Sequence, residues 1–189
     1  MEITETRIVE AASVLFWKFG LRKVSVEDIC KKADISRMTF YRYYTNKTEL
    51  AKHVFDTSVN AANEKFRIIL SASSTAEEFL KNMIDLKSEG TRGISEEFIQ
   101  DFYGNPGPEL RAYVNQRTQE EWKLIKSEFK KAKNRKLIRD DVNIDFLIQL
   151  ILSYGSLVSN EAFTKIFRKP GDLIKEFTKM IAYGISPAR

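Results

Sequence analysis

The chain has 189 residues, of which 43% are hydrophobic and 30% charged, and its formal net charge is +5 at pH 7. This composition excludes the disordered and fibrous classes and indicates a globular protein with a sizeable core, while the positive charge is compatible with a polyanionic partner. No apolar run is long enough to cross a bilayer and the first residues lack the cationic start of a secretory signal, so we expect a cytoplasmic protein with no membrane partner.

The proline and glycine content of the chain favours an all-helical protein. Four prolines and eight glycines leave long stretches without a helix breaker. Apolar residues at helical intervals predict a first helix over residues 3 to 19, which Gly20 should end. Ser25, followed three residues later by Asp28, predicts a capping box at the start of a short second helix.

A third short helix and a longer fourth one follow. Ser36 is predicted to cap the third helix and Asn46 the fourth, which should run from Lys47 to about Leu70. Two short helices separated by a tight turn and braced by a longer one form a helix-turn-helix. Such a unit sets its second helix into the major groove of DNA. The sequence therefore predicts a helix-turn-helix over about residues 25 to 44.

The third helix carries side chains that suit contact with DNA. Its aromatic residues could simply be core, but one buried face cannot hold Phe40, Tyr41, Tyr43 and Tyr44 together. Phe40 and Tyr44, four positions apart, are expected to pack inward, so at least two tyrosines should be exposed. Arginine in the same helix can bind guanine or phosphate, and hydroxyl groups commonly contact phosphate oxygens.

The stretch from Arg7 to about Phe55 resembles the DNA-binding domain of the TetR (tetracycline repressor) family of one-component regulators. The resemblance is carried by four motifs: Phe19-Gly20 at the end of the first helix, Val24-Ser25-Val26-Glu27-Asp28-Ile29 at the entry to the second, Ser36-Arg37-Met38-Thr39-Phe40-Tyr41-x-Tyr43-Tyr44, and Lys47-x-x-Leu50. About 50 residues carry the match, which implies a sequence-specific transcription regulator whose partner is double-stranded operator DNA.

The resemblance also assigns roles to residues. It implies phosphate contacts from Ser25, Ser36, Tyr43 and Lys47, and groove-facing positions for Arg37, Met38, Thr39, Tyr41 and Arg42. Two residues depart from the family pattern. Asp34 stands where glycine is common in the turn, and Met38 stands where a small residue is common. The second departure should change base preference, so the operator cannot be taken from relatives.

Beyond residue 70 the apolar pattern is still helical, but no motif of the TetR family is present. Helices are predicted over residues 75–89, 95–103, 108–134, 143–166 and 171–184. The predicted fold is all-α, with a helix-turn-helix DNA-binding domain over residues 1–46 and a larger effector-binding and dimerisation domain over residues 47–189. Cationic residues dominate from Lys123 to Arg139, which is typical of a solvated helix end and, less often, of a second polyanion surface.

The last two long helices are predicted to form a homodimer interface. Residues 146 to 152 are apolar almost all round the helix, which requires burial on more than one side. A four-helix bundle across a two-fold axis would provide it, and a wholly internal core is the alternative. The predicted interface residues are Phe146, Leu150, Ile151, Phe177, Met180 and Ile181.

The resemblance implies that a small molecule binds among the middle helices. The candidate lining residues are Phe79, Met83, Phe98, Phe102, Tyr103, Tyr113, Trp122 and Tyr154. Each of them is also typical of a plain core. Because the set is aromatic and lightly charged, we expect a hydrophobic or planar effector.

Two other classes of protein remain as alternatives. An enzyme needs a nucleophile beside a base, whereas the single histidine, His53, lies 23 positions from the single cysteine, Cys30. No cofactor or metal motif is present in the sequence, so we expect neither. A DNA-bound factor of the same architecture that ignores ligands, of the division or nucleoid type, is the second alternative. The favoured interpretation is a repressor that a small molecule releases from its operator.

Overall fold

The computed structural model describes residues 3–158, 160–167 and 169–187, and every regular element within these ranges is helical. The elements are α1 (Ile3–Lys23), α2 (Val26–Ala33), α3 (Arg37–Tyr43), α4 (Lys47–Ala72), α5 (Ala76–Gly90), α6 (Glu96–Ile99) with a π-helical turn (Gln100–Gly104), α7 (Pro108–Asn134), α8 (Ile144–Val158), α9 (Glu161–Thr164) and α10 (Pro170–Ile185). The predicted all-α fold is confirmed.

Short polar side chains start the helices where the sequence predicted caps. Ser25 and Asp28 form a reciprocal capping box at α2. The Ser36 hydroxyl accepts a hydrogen bond from the Thr39 N–H at 3.0 Å, and the Asn46 side chain accepts one from the Glu49 N–H at 2.9 Å. These bonds satisfy donors that have no partner within their own helix.

Two predicted helices differ from the structure. The helix predicted over residues 143–166 is divided, because Asn160 caps the new helix α9 with its side-chain oxygen 2.9 Å from the Ala162 N–H. Asparagine competes with a continuing helix in this way. The first helix does not end at Gly20. It is kinked there, because Gly20 has the non-helical angles φ 77° and ψ 168°, and a last helical turn continues to Lys23.

The chain divides into two compact units, Met1–Val59 with Gly93–Asn115, and Asn60–Arg92 with Gln116–Arg189. The first unit therefore includes α6 and the start of α7 in addition to the helices predicted for the DNA-binding domain. Its core is built by Ile8, Phe16, Ile29, Phe40 and Phe102, each almost fully buried.

One buried carboxylate organises the end of α1 in the first unit. Asp101 accepts a hydrogen bond from the Arg22 backbone N–H at 2.8 Å. It also forms an ion pair with the Arg22 side chain, whose Nε lies 3.1 Å from the other carboxylate oxygen. Gly20 packs so closely here that a Cβ at this position would lie 2.7 Å from an Asp101 carboxylate oxygen and 2.7 Å from the Glu97 Cβ. The close packing against Asp101 and Glu97 therefore requires a residue without a side chain at position 20.

The second unit has its own apolar core. Phe66, Phe79, Phe129, Leu137 and Ile138 are all buried in it. The basic stretch from Lys123 to Arg139 largely makes contacts within the unit: Lys131 pairs with Glu128 and Lys136 with Asp140, while Arg135 donates to the carbonyls of Leu70 and Ser73. These contacts fit the solvated-helix interpretation of the stretch better than a second polyanion surface. Among the described helices, none has both the length and the apolarity for a bilayer crossing.

Candidate nucleic-acid interface and apolar cavity

The turn between α2 and α3 is held in a conformation that fixes the angle between the two helices. Asp34 adopts the left-handed conformation, with φ 52°, that short polar side chains tolerate. Arg7 braces the residue from α1, because its Nη2 lies 3.1 Å from the Asp34 carbonyl oxygen and 3.2 Å from a carboxylate oxygen. The departure from glycine at this position is thus accommodated by a specific contact.

The inner face of α3 is anchored by two aromatic rings, as the sequence predicted. Phe40 is fully buried, and its ring centroid lies 6.0 Å from that of Tyr44. The Tyr44 hydroxyl lies 2.6 Å from Nδ1 of His53 and 3.3 Å from a Glu5 carboxylate oxygen. Burial raises the pKa of the Tyr44 hydroxyl, so it stays protonated. His53 is therefore a hydrogen-bond partner within this cluster.

The other face of α3 is open to solvent. Met38 is 79% exposed and Tyr41 is 50% exposed, values that are unusual for large apolar and aromatic side chains in a folded unit. Arg37 and Arg42 are exposed beside them, and neither guanidinium forms an ion pair or hydrogen bond within the described ranges. Thr39 and Tyr43 are partly buried at the edges. This surface combines guanidinium, hydroxyl and methyl groups, which are the groups that read base edges and phosphates.

Two of the residues predicted to contact phosphate already form hydrogen bonds within the protein. The Ser25 hydroxyl donates to Asp28 at 2.6 Å, so its proton is already engaged in the capping box. The Lys47 ammonium donates to the carbonyls of Leu21 and Val24, each at 2.6 Å, and burial lowers its pKa. Lys47 therefore contacts the end of α1 with two of its three donors, and its contact with phosphate stays a prediction. Ser36 remains exposed at the start of α3.

The second unit contains an apolar cavity of about 240 Å³. Helices α5, α7, α8 and α10 supply its walls. The lining residues are Phe79, Leu80, Met83, Lys87, Trp122, Phe129, Ile151, Ile174, Phe177, Thr178, Ile181, Ala182 and Ile185. Apolar side chains make up almost all of this set, and Lys87 is the one charged residue among the described members.

The predicted pocket residues fall into two groups. Phe79, Met83 and Trp122 line the cavity. The other described members do not: Phe98, Phe102, Tyr103 and Tyr113 belong to the first unit. Their aromatic rings pack locally, as in the stacked pair Phe98 and Phe102 with centroids 4.4 Å apart, because an aromatic residue at helical spacing fits any core. The side chain of Tyr154 lies outside the described part of the chain.

The residues predicted for the dimer interface also fall into two groups, one exposed and one lining the cavity. Phe146 is 68% exposed and Met180 is 67% exposed, and Leu150 is exposed as well. Ile151, Phe177 and Ile181 instead line the cavity of their own unit. The apolar character of α8 and α10 thus has two sources, the wall of a cavity and an exposed apolar surface.

Lys87 was missed by the sequence prediction, although a signal for it exists. It follows Phe79 and Met83 at successive intervals of four, so the apolar stripe of α5 is continued by a charged residue, which is itself exposed. The contribution of α10 was missed because its apolar stripe was attributed to the dimer. Ile174, Thr178 and Ile185 lie on the same stripe and line the cavity.

Comparison with known proteins agrees with this architecture. Residues 8–54 match the family described as bacterial regulatory proteins, tetR family. The HTH-type transcriptional regulator UidR of Escherichia coli (strain K12) is 24% identical over 163 residues, which cover 84% of this chain and 82% of UidR.

Two solved structures share the fold. The fatty acid degradation regulator FadR from Bacillus halodurans superposes with a TM-score of 0.72 at 18% identity, covering 97% of each chain. The transcriptional regulator FadR from Bacillus subtilis, solved in complex with stearoyl-CoA, gives a TM-score of 0.68 at 17% identity, covering 95% of this chain and 98% of that one. With the match to residues 8–54 and the exposed face of α3, these likenesses lead to one conclusion: residues 8–54 carry a DNA-binding domain of the tetR family, in a chain that has the fold of transcription regulators.

Proposed function

We propose that the protein is a homodimeric, cytoplasmic repressor that binds operator DNA through α3 and leaves it when a small apolar molecule fills the cavity of the second unit. The observation that carries the DNA-binding part is the outer face of α3. Arg37 and Arg42 extend from it without partners in the described ranges, next to exposed Met38 and Tyr41. Unpaired cations on a short helix are suited to a polyanion.

The homodimer is supported by the exposed apolar side chains of α8 and α10. Phe146, Met180 and Tyr183 are each exposed by more than 65%, which is costly for a surface that stays in water. A two-fold axis would bury such a surface against its own copy. Two copies of α3 could then address successive major grooves about 34–36 Å apart on one face of the duplex.

The effector is supported by the cavity. A tightly packed second unit would favour a DNA-bound factor that ignores ligands, whereas an apolar cavity of about 240 Å³ favours a ligand-responsive repressor. Helices α4 and α7 each contribute residues to both compact units, so a shift of either helix offers a route from the cavity to the DNA-binding residues. A coupling of roughly 1–3 kcal/mol would change operator affinity about 5- to 150-fold.

The test is a gel-shift titration on the DNA upstream of the protein's own gene at two salt concentrations. We expect a specific shift that weakens steeply with salt, because binding releases counterions from the phosphates. The variants Arg37→Ala and Tyr41→Ala should lose the shift, since both side chains lie on the outer face of α3. Arg67→Ala, an exposed arginine of α4 in the second unit, is the matched control and should keep it. Equal binding by Arg37→Ala and the parent would contradict the assignment of α3.

A further inference from the structure

We propose that the cavity of the second unit binds a monocarboxylate with an apolar tail, and that Lys87 pairs with its carboxylate. The inference rests on the proposed function, because it takes this cavity as the effector site, and it adds the chemical class of the ligand.

The walls of the cavity define the tail. Phenylalanine, leucine, isoleucine and methionine side chains from four helices form the lining, with Ala182 as its smallest member. Burying apolar surface in such a site contributes roughly 25 cal/mol per Å², whereas a polar group without a partner costs free energy. A flexible hydrocarbon chain therefore fits these walls better than a sugar or a nucleotide.

The single charge defines the head group. Among the described residues that line the cavity, Lys87 is the one that carries a charge. Its ammonium forms no ion pair or hydrogen bond with any residue of the described ranges. One unpaired monovalent cation at an apolar cavity matches one monovalent anion, whereas a phosphate dianion would keep an uncompensated charge.

Lys87 is an exposed residue, yet its ammonium does not have the surroundings of an ordinary surface lysine. Lysines are common in the last turn of a helix, where the helix dipole favours a cation, and Lys87 lies in the last turn of α5. That setting would favour the charged form. Instead, desolvation lowers the pKa of the Lys87 ammonium below its ordinary value of 10.5. Desolvation without a counter-charge beside the ammonium accounts for this direction, while the exposed side chain stays accessible to a ligand.

The other polar groups of the described lining supply no charge for a carboxylate. The Thr178 hydroxyl donates to the Ile174 carbonyl at 2.8 Å, so its proton is used within α10. The Trp122 indole N–H is a neutral donor and can add a hydrogen bond to an oxygen of the ligand, but it supplies no charge. Lys87 is therefore the residue that distinguishes an anionic ligand from a neutral one of equal size.

The volume allows a tail of several carbons. A cavity needs only about 10–15 Å³ of such space to hold one water-sized group, so a cavity of about 240 Å³ has room for a hydrocarbon chain. Octanoate, a monocarboxylate with a flexible apolar tail, is the probe of choice.

The experiment measures the affinity of the full-length protein for three probes of equal length: octanoate, 1-octanol and octylammonium. Isothermal calorimetry gives the affinities, and fluorescence of Trp122 in a Trp17→Phe background reports binding at the cavity, because these are the two tryptophans of the chain. Hydrogen bonds to charged groups predict that octanoate binds at least about tenfold more tightly than 1-octanol. Lys87→Gln should remove this preference, whereas Lys81→Gln, an exposed lysine on the same helix that does not line the cavity, should keep it.

The possible outcomes separate the inference from the proposed function. A preference for octanoate that Lys87→Gln abolishes and Lys81→Gln retains supports the inference. Equal affinity for octanoate and 1-octanol, or an octanoate preference that survives Lys87→Gln, overturns the inference and leaves an apolar effector site in place. If no probe binds, the cavity is not an effector site, and both the inference and the ligand part of the proposed function fail.

Discussion

Replacing Gly20 by alanine should destabilise the first unit strongly, although it adds a single methyl group. The backbone at Gly20, with φ 77° and ψ 168°, lies in a region that is almost restricted to glycine, and holding another residue there costs about 1–3 kcal/mol. The new Cβ would also lie 2.7 Å from the Asp101 carboxylate and from the Glu97 Cβ, and overpacking of this kind costs about 1–3 kcal/mol. Alanine also lowers the conformational entropy of the unfolded chain, which offsets about 0.4–1 kcal/mol of this destabilisation.

The expected net effect of Gly20→Ala is a loss of roughly 1–6 kcal/mol in the free energy of unfolding. Urea unfolding measures it, with far-UV circular dichroism for the whole chain and Trp17 fluorescence in a Trp122→Phe background for the first unit, where Trp17 packs on Phe98 with centroids 4.7 Å apart. Gly90→Ala is the control, because nothing lies within 4 Å of its Cβ position. A Gly20→Ala protein as stable as the parent would refute the reasoning.

Two further predictions concern the α2 cap and the exposed surface of α8. The Ser25 hydroxyl and backbone N–H lower the pKa of Asp28 below its ordinary 3.8, so the box contributes stability that is present above that value and lost as the pH falls through the lower folded pKa. In urea titrations at a series of pH values, the stability gap between the parent and Asp28→Ala should therefore narrow below pH 3.8, and a constant gap would argue against the ionised box. Phe146→Asp should shift the chain from dimer to monomer in sedimentation velocity, since a charge would enter a buried interface, whereas Ile68→Asp, which is exposed on α4, should not. A dimeric Phe146→Asp protein would exclude the predicted interface.

Features that depend on neighbouring residues were predictable from the sequence. Ser25, Ser36 and Asn46 act on backbone groups within three residues, so type and spacing were enough to locate the starts of α2, α3 and α4. The burial of Phe40 and Tyr44 followed from their spacing in the same way.

Features that depend on distant parts of the chain were not predictable in this way. Phe98 and Phe79 have the same aromatic character at helical spacing, yet one packs in the first unit and the other lines the cavity of the second. Lys47 was expected to contact phosphate by its position, but carbonyls more than 20 residues earlier engage its ammonium. Tertiary packing decided each of these cases, and periodicity carries no information about which partner a face meets.

The most direct test of the central claim is selection of binding sites from random DNA by the purified full-length protein. The proposed dimer, with two copies of α3 in successive major grooves, predicts enrichment of a pseudo-palindromic site with half-sites one helical turn apart or a multiple of it. The same selection with Arg37→Ala should yield no enriched site or one with altered base preference, because the exposed guanidinium lies on the outer face of α3. Failure of the parent protein to enrich any sequence, or enrichment of an identical site by Arg37→Ala, would contradict the account.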